Sequence, residues 1–299
     1  MQLWAENQDL ANRERATLAL AADPERFDGM QMVSVIWALR SQAAQDISPS
    51  ANRTFSREIP ELVIPFKERL MVLGDPHFPL HHEEMFKRAL RAVTEHQITS
   101  VVWPGDVLDN GYKGHRFMRD CRAATRAEGV AALQEALLAF DAAGIEEHFM
   151  CPGNHDDKPL RGTDQELLFS DWIRAALGDF SPRASLTFSD RYYIVMEARG
   201  GSQSGPDQYP WRFTHQKNYS KIPLSTAREI AAIKLSNVVC AHQHHCAMGW
   251  ASNGLMRAID GGCLQDPAQA SYKEIRDSRH PEWNPGFVIL LDGKPRLED

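Results

Sequence analysis

The sequence predicts an α/β fold: a β-sandwich of two packed sheets flanked by helices on the outer faces, preceded by an N-terminal helical segment. Three observations predict it. Strands and helices alternate from Arg69 to Leu177, the chain turns strand-rich after Leu186, and polar residues recur where the strands end. The alternation alone fits a doubly wound sheet as well. The strand-rich second half points to two packed sheets.

Residues 1–66 differ in character from the rest. Ala-rich helical pieces, Leu10 to Ala22 and Met30 to Ala44, lead into the turn-rich ISPSANRTFS, and Pro60 and Pro65 punctuate the approach to the first strand. The plainer reading is a helical arm packed on the main domain or on a second subunit, which would make the chain a homo-oligomer. A small recognition module is the sharper reading, and no helix-turn-helix pattern supports it. A catalytic domain is expected over 67–299.

Within that domain Leu70 to Leu73 is a short apolar run closed by Gly-Asp, which reads as a buried strand. His82 to His96 has helical periodicity through Met85, Phe86, Leu90 and Val93. Ile98 to Trp103 is a second strand closed by Gly-Asp, Arg116 to Phe140 a long helix, Glu146 to Cys151 a third strand and Gln165 to Leu177 another helix. Strand-forming stretches follow: LTFSDRYYIVMEA, WRFTH, NVVCAHQH, LMRAIDGG and GFVILLDG.

Composition narrows the function. The formal net charge of −7 gives no general affinity for polyanions, so nucleic-acid contact requires a local basic patch. One candidate is the stripe Arg116, Arg119, Arg122 and Arg126 on the long helix, whose plainer reading is a solvated face. Five cysteines without a CxxC pair argue against a disulfide framework and for a reducing, cytoplasmic setting. The N-terminus lacks the order of a signal peptide, and the most apolar stretch, Met30 to Leu39, is too short to span a bilayer. No membrane association is expected.

The strand ends carry the chemistry. GDPH supplies Asp75 and His77, GDVLDN supplies Asp106 and Asp109, and GNHDD supplies Asn154 and His155. FTHQ then brings His215, and AHQHH brings His242, His244 and His245. Groups at the carboxyl ends of strands converge on one crevice. Carboxylate, imidazole and amide donors together suit Mn²⁺, Fe or Zn²⁺ better than Mg²⁺ or a thiolate-bound metal. Two such cations about 3.5–4 Å apart clamp the attacking and leaving oxygens of an in-line displacement.

This ordered set, over roughly Leu70 to His245, resembles the calcineurin-like metallophosphoesterases. Each motif is weak alone; five in order are strong together. The resemblance implies one metal on Asp75, His77, Asp106 and His244 and a second on Asp106, Asn154, His215 and His242, with Asp106 bridging. Manganese is the expected metal, with Fe, Zn or Ni as alternatives. The resemblance also implies a metal-bridging hydroxide as nucleophile, His155 as general acid and Asp109 as its partner. The chain departs from the family pattern at Gln216 and Ala241, where the family carries glycine. His245 adds a neighbouring histidine, so the register between His244 and His245 rests on spacing from His242. Cys240 and Cys246 read as packing residues. Asp156 and Asp157 are unplaced, with a cap on the following turn open to either.

Asn110, where the Ser/Thr protein phosphatases of this superfamily have arginine, argues against that branch. His155 argues against the lipid A pathway hydrolases, which have arginine there. The last expected strand, near Lys294, leaves no room for the capping region of the repair nucleases. The expected function is a phosphodiesterase acting on nucleotides or short oligonucleotides, with a phosphomonoesterase or a DNA/RNA nuclease as alternatives. A non-catalytic binding scaffold is disfavoured because every ligand position is filled. Specificity is expected in the loops Tyr112 to His115 and Ala198 to Arg212.

Overall fold

The computed structural model describes residues 58–110, 124–160, 167–200, 205–269 and 283–299. The helices expected before residue 45 and the first part of the helix expected from Arg116 lie outside the described residues. The chain divides into two compact units, and Ile59–Lys158 with Phe169–Asp299 form the one that holds every element below. The other, Met1–Glu58 with Pro159–Leu168, lies mostly outside the described residues.

In chain order the first elements are β1 (Val63–Ile64), β2 (Arg69–Val72), α1 (Glu83–His96), β3 (Ser100–Pro104), α2 (Arg126–Ala143), β4 (Glu147–Cys151) and α3 (Phe169–Leu177). Then come β5 (Ser185–Phe188), β6 (Tyr193–Met196), β7 (Trp211–Thr214), α4 (Ser225–Lys234), β8 (Asn237–Cys240), β9 (Cys246–Trp250), β10 (Arg257–Gly261), β11 (Phe287–Leu291) and β12 (Lys294–Glu298). One six-stranded sheet runs β12-β11-β2-β3-β4-β5, the other β1-β6-β7-β8-β10-β9. Both are mixed: β2 to β5 pair in parallel while β11 pairs antiparallel with β2, and β7, β8 and β10 are parallel between antiparallel pairs.

The period-2 alternation of strand side chains explains the layers. Leu70, Val72, Val102, Phe149, Val288 and Leu290 point from the first sheet into a shared core. Ile194, Met196, Trp211, Phe213, Val239 and Ile259 meet them from the second. On the other face of β3, Trp103 packs edge-on against Phe140 of α2 at 5.6 Å, so β3 is buried on both sides. On the other face of the second sheet, Val238, Cys240 and Ala258 pack against Ala227 and Ala231 of α4.

Helix ends follow local chemistry. Thr125 and Glu128 form a reciprocal capping box at the start of α2, and Gly144 closes it in the left-handed region at φ 111°, where a side chain is strained. α4 is an element that strand-by-strand reading of the second half passes over. Its buried positions are the small residues Thr226, Ala227 and Ala231, which give no strong apolar stripe. Its N-cap, Leu224, offers no side-chain cap. A tertiary contact sets the start instead: the Leu224 N–H donates to Asp260 Oδ2 at 2.6 Å.

The stretch Leu186 to Ala198 also divides. β5 is an edge of the first sheet and β6 belongs to the second. Between them the Ser189 hydroxyl donates to the carbonyls of Arg191 and Tyr193, and Asp190 accepts from the amide and hydroxyl of Ser170 in α3.

Ile259→Ala in the shared core is expected to cost about 2–5 kcal/mol, against about 1 kcal/mol for Thr125→Ala at the exposed cap. Urea unfolding of the two variants tests that order. Burial pushes the Asp260 carboxyl up to about 6. Its folded pKa lies above the ordinary value of 3.8, so the stability it contributes is full below that value and lost as pH rises toward about 6. Asp260→Asn therefore gains stability relative to the parent between pH 4 and 6 and holds a constant difference above, as read by thermal melts.

Candidate metal centre

The site is built on turns that leave the carboxyl ends of β2, β3, β4, β7 and β8. Their backbone is unusual. Asp75, His77, Asp106, His242 and His244 have φ of 49°, 49°, 48°, 75° and 56°, in the left-handed region that side chains ordinarily avoid. Tertiary hydrogen bonds hold these conformations. His77 N–H donates to the Asp106 carbonyl at 3.0 Å, His242 N–H to Asp75 Oδ2 at 2.7 Å, and Asn284 N–H to the His244 carbonyl at 2.9 Å.

Glycine is required where two turns meet. A Cβ on Gly153 would lie 2.2 Å from the amide nitrogen and Oδ1 of Asp106, and one on Gly105, at φ 89°, 2.7 Å from the ring of His215. Ala241 keeps a negative φ, and its methyl would be 3.2 Å from a Cβ on Gly74. Alanine fits there because its neighbour across the turn is glycine.

All nine expected site residues come together. Three overlapping groups of donors form, Asp75–His77–His244, His77–Asp106–His155 and Asp106–His215–His242, the ligand atoms within each lying within 4.8 Å of one another. Asp106 belongs to two of them, its Oδ2 lying 3.5 Å from His77 Nε2 and 3.6 Å from His215 Nε2. Asn154 Oδ1 lies 3.0 Å from His215 Nε2. Asp75 Oδ1, His77 Nε2, His215 Nδ1 and His244 Nδ1 are buried without a hydrogen-bond partner among the described residues. Orphaned donors of this kind, converging from two sides of one carboxylate, fit a pair of cations.

His155 stands beside the second expected carboxylate partner. Its Nδ1 lies 2.7 Å from the Asp109 carbonyl and 3.1 Å from Asp109 Oδ1. The same Oδ1 is 3.2 Å from His77 Nδ1, and the two rings meet edge-on at 4.5 Å, so Asp109 orients both imidazoles.

The electrostatics favour cation binding. Burial lowers the pKa of His77, His242 and His244 and takes His215 to about 3, keeping these rings neutral, the form that ligates metal. Burial opposes charge on Asp106 and Asp109 too, but the charge and backbone amide of His155 on the first, and hydrogen bonds from His155 and His77 on the second, hold both carboxyls well below the usual range. Asp75 moves the other way, raised by burial and by the charge of Asp106. Burial also works against a charged His155, yet Asp106 and the bond to Asp109 outweigh it and raise its pKa.

Geometry decides what the sequence left open. His244 faces Asp75 at 3.8 Å while the ring of His245 turns to Asp260 at 3.8 Å, so the register is His242 and His244. Cys240 packs under α4, and the thiol of Cys246 is pushed up to about 11 by burial; neither joins a donor group. Gln216 is buried, with neither amide atom hydrogen-bonded among the described residues. Arg126 lies over the ring of Trp172 at 5.9 Å, while Arg116, Arg119 and Arg122, like the loop Tyr112 to His115, lie outside the described residues.

Asp156 is the residue that sequence reasoning left unplaced. Fully buried, it accepts from Val107 N–H at 3.1 Å, Leu108 N–H at 3.0 Å and Gly153 N–H at 2.9 Å. It therefore pins the turn after β3 to the turn after β4. Its signal in the sequence is the second aspartate of GNHDD.

Two mixed sheets with helices outside, and a histidine–carboxylate cluster at adjoining strand ends, define a metallophosphoesterase-type α/β sandwich. The chain belongs to the calcineurin-like phosphoesterase family, whose model matches residues 68–246. No curated protein matches the chain. Similar solved structures include Vps29 from Cryptosporidium parvum (15% identity, 77% of this chain and 95% of that one, TM-score 0.35). Yfce, a phosphoesterase from E. coli, is 16% identical over 74% of this chain and 87% of its own, with a TM-score of 0.34. The Pseudomonas putida nuclease MPE is 14% identical over 77% and 87%, with a TM-score of 0.30. Among the described residues no helix is long and apolar enough to cross a membrane.

Asp156→Asn keeps the volume but turns an amide N–H toward backbone donors. Each buried donor left unmatched costs about 1–3 kcal/mol. The variant is expected to melt earlier and to retain less metal after gel filtration, although Asp156 is not in a donor group. Full metal content in a folded variant would remove Asp156 from the site's support.

Proposed function

We propose that the chain is a two-metal phosphoesterase, specifically a phosphodiesterase acting on nucleotides or short oligonucleotides. One observation carries this: the donor groups Asp75–His77–His244 and Asp106–His215–His242 are joined by a third, His77–Asp106–His155, whose His155 pairs with Asp109. Asp75, His77 and His244 would hold one cation, Asn154, His215 and His242 the other, and Asp106 both. Two divalent cations held there, manganese first and Fe, Zn or Ni as alternatives, would neutralise the charge of the ester and acidify a water molecule.

The protein's own part is to hold and move a proton. A carbonyl oxygen only accepts, so the Nδ1 of His155 facing the Asp109 carbonyl carries hydrogen. A proton on Nε2 is then available to the leaving oxygen as the phosphorus–oxygen bond breaks and water oxygen bonds to phosphorus. The Asp109 carboxylate fixes the ring and supports its charged form. The retention of both His242 and His244 supports the phosphodiesterase, nuclease and purple-acid side of the superfamily. Nucleic-acid contact through Arg116, Arg119, Arg122 and Arg126, and self-association through residues 1–66, belong to the same proposal.

Metal-stripped protein restored with Mn²⁺, Zn²⁺ or Mg²⁺ is expected to cleave bis-p-nitrophenyl phosphate faster than p-nitrophenyl phosphate. His155→Ala is expected to lower turnover about 10²–10⁴-fold. Its metal content should be unchanged. Cleavage of the monoester alone would replace the diesterase with a phosphatase. A folded, metal-loaded chain inactive on both esters would leave a binding scaffold.

A further inference from the structure

The segment that follows His215 carries a pattern absent from the five metal motifs. Residues 216–221 read Gln-Lys-Asn-Tyr-Ser-Lys, a tyrosine with a lysine two positions to either side. Lys217, Asn218, Tyr219 and Lys221 are all exposed, and Tyr219 is 41% exposed, high for so large an aromatic. The ring stands edge-on to His242, with centroids 6.2 Å apart and planes at 88°. An exposed aromatic residue with basic neighbours therefore borders the donor group of Asp106, His215 and His242.

Its placement is enforced from inside the site. Gln243, the residue between His242 and His244, is buried. Its Oε1 accepts from Ser220 N–H at 2.8 Å, and its Nε2 donates to the Asn218 carbonyl at 2.9 Å and to Thr226 Oγ1 at 3.2 Å. The residues immediately before and after Tyr219 are thus tied to one side chain, held between two site histidines. The backbone on both sides of Tyr219 is therefore fixed beside His242.

We propose that residues 216–221 form the ledge for the nucleotide beside the reacting phosphate. Tyr219 stacks on its base, and Lys217 and Lys221 neutralise its neighbouring phosphates. The inference rests on the phosphoesterase reading of the adjoining site and names its substrate class: a phosphodiester carrying a nucleobase. Basic residues interleaved with an aromatic are the chemistry that takes single-stranded nucleotides, because every base offers a ring face whatever its sequence.

The test is calorimetric binding to the full chain loaded with Mn²⁺, in a His155→Ala background that suppresses turnover. The ligands are adenosine 5′-monophosphate, ribose 5-phosphate and the dinucleotide pApA. Adenosine monophosphate is expected to bind roughly five- to hundredfold more tightly than ribose 5-phosphate. Tyr219→Ala should bring that ratio to near one, and Tyr219→Phe should preserve it. Lys217→Gln with Lys221→Gln should weaken pApA more than the monophosphate and flatten its salt dependence. A parent ratio near one, a ratio that survives Tyr219→Ala, or equal losses in the Ala and Phe variants would overturn the proposal. A base preference abolished by Tyr219→Ala in a chain that hydrolyses no ester with any metal would sink the phosphoesterase reading and leave the ledge standing.

Discussion

Two strand-end turns share one small volume, and the site depends on that packing. The amide and carboxylate of Asp106 occupy the space where a Cβ on Gly153 would sit. Asp156 closes the contact by accepting from both turns, and the His155 amide donates to Asp106 Oδ1 at 2.6 Å. Asp106, Asn154 and His155 therefore move as one block. The His77 amide joins the turn after β2 to that block, and the His242 amide, bonded to Asp75, joins the second sheet to the first. Backbone bonds thus tie four of the five turns together without using the side-chain atoms that face the donor groups. Left-handed conformations at five ligand positions persist because this network overdetermines them.

The same packing sets the electrostatics. The charge and backbone amide of His155 favour the ionised form of Asp106 despite burial, whereas Asp75 has burial and a carboxylate neighbour against it. Two buried carboxylates among imidazoles held neutral are an incomplete charge balance. Asp75, with His77 and His244, would supply donors to a cation, and Asp75 would give up its proton on holding one. His77 also meets Asp109 through its Nδ1, but burial prevails there and lowers its pKa, whereas at His155 burial is outweighed by Asp106 and the bond to Asp109, which leaves His155 suited to carry a proton.

Much of this was legible in the sequence because the site lies on strand ends. Each apolar run is followed at once by its polar residues, so GDPH, GDVLDN and GNHDD announce both a strand and what it delivers. Their order carries the family resemblance. What escaped reading depends on contacts across the fold. An aspartate in a turn looks like a local cap, so Asp156 gives no sign that it serves two turns 48 residues apart. α4 is hidden by small buried residues and by a start fixed on Asp260. The choice between His244 and His245 needed the path of the chain beyond β8, which spacing alone suggests and geometry decides.

Net charge shows why local arrangement outweighs composition. A chain of −7 reads as a poor partner for phosphates, and that holds at distances where individual charges blur together. Fields at a binding site are set within about one Debye length, near 8 Å in physiological salt. Within that range of a phosphate at the site, paired cations would offset Asp75 and Asp106, and the neutral histidines add no negative charge. Acidic residues elsewhere on the surface are screened from it. The segment that carries Lys217 and Lys221 is tied at Asn218 and Ser220 to Gln243, and its Tyr219 meets His242, so these lysines extend from a stretch that borders the donor groups. An acidic protein can therefore present a locally cationic crevice, and its overall charge then disfavours long polyanions more than short ones. That asymmetry is a physical ground for the proposed preference for nucleotides and short oligonucleotides over long duplexes.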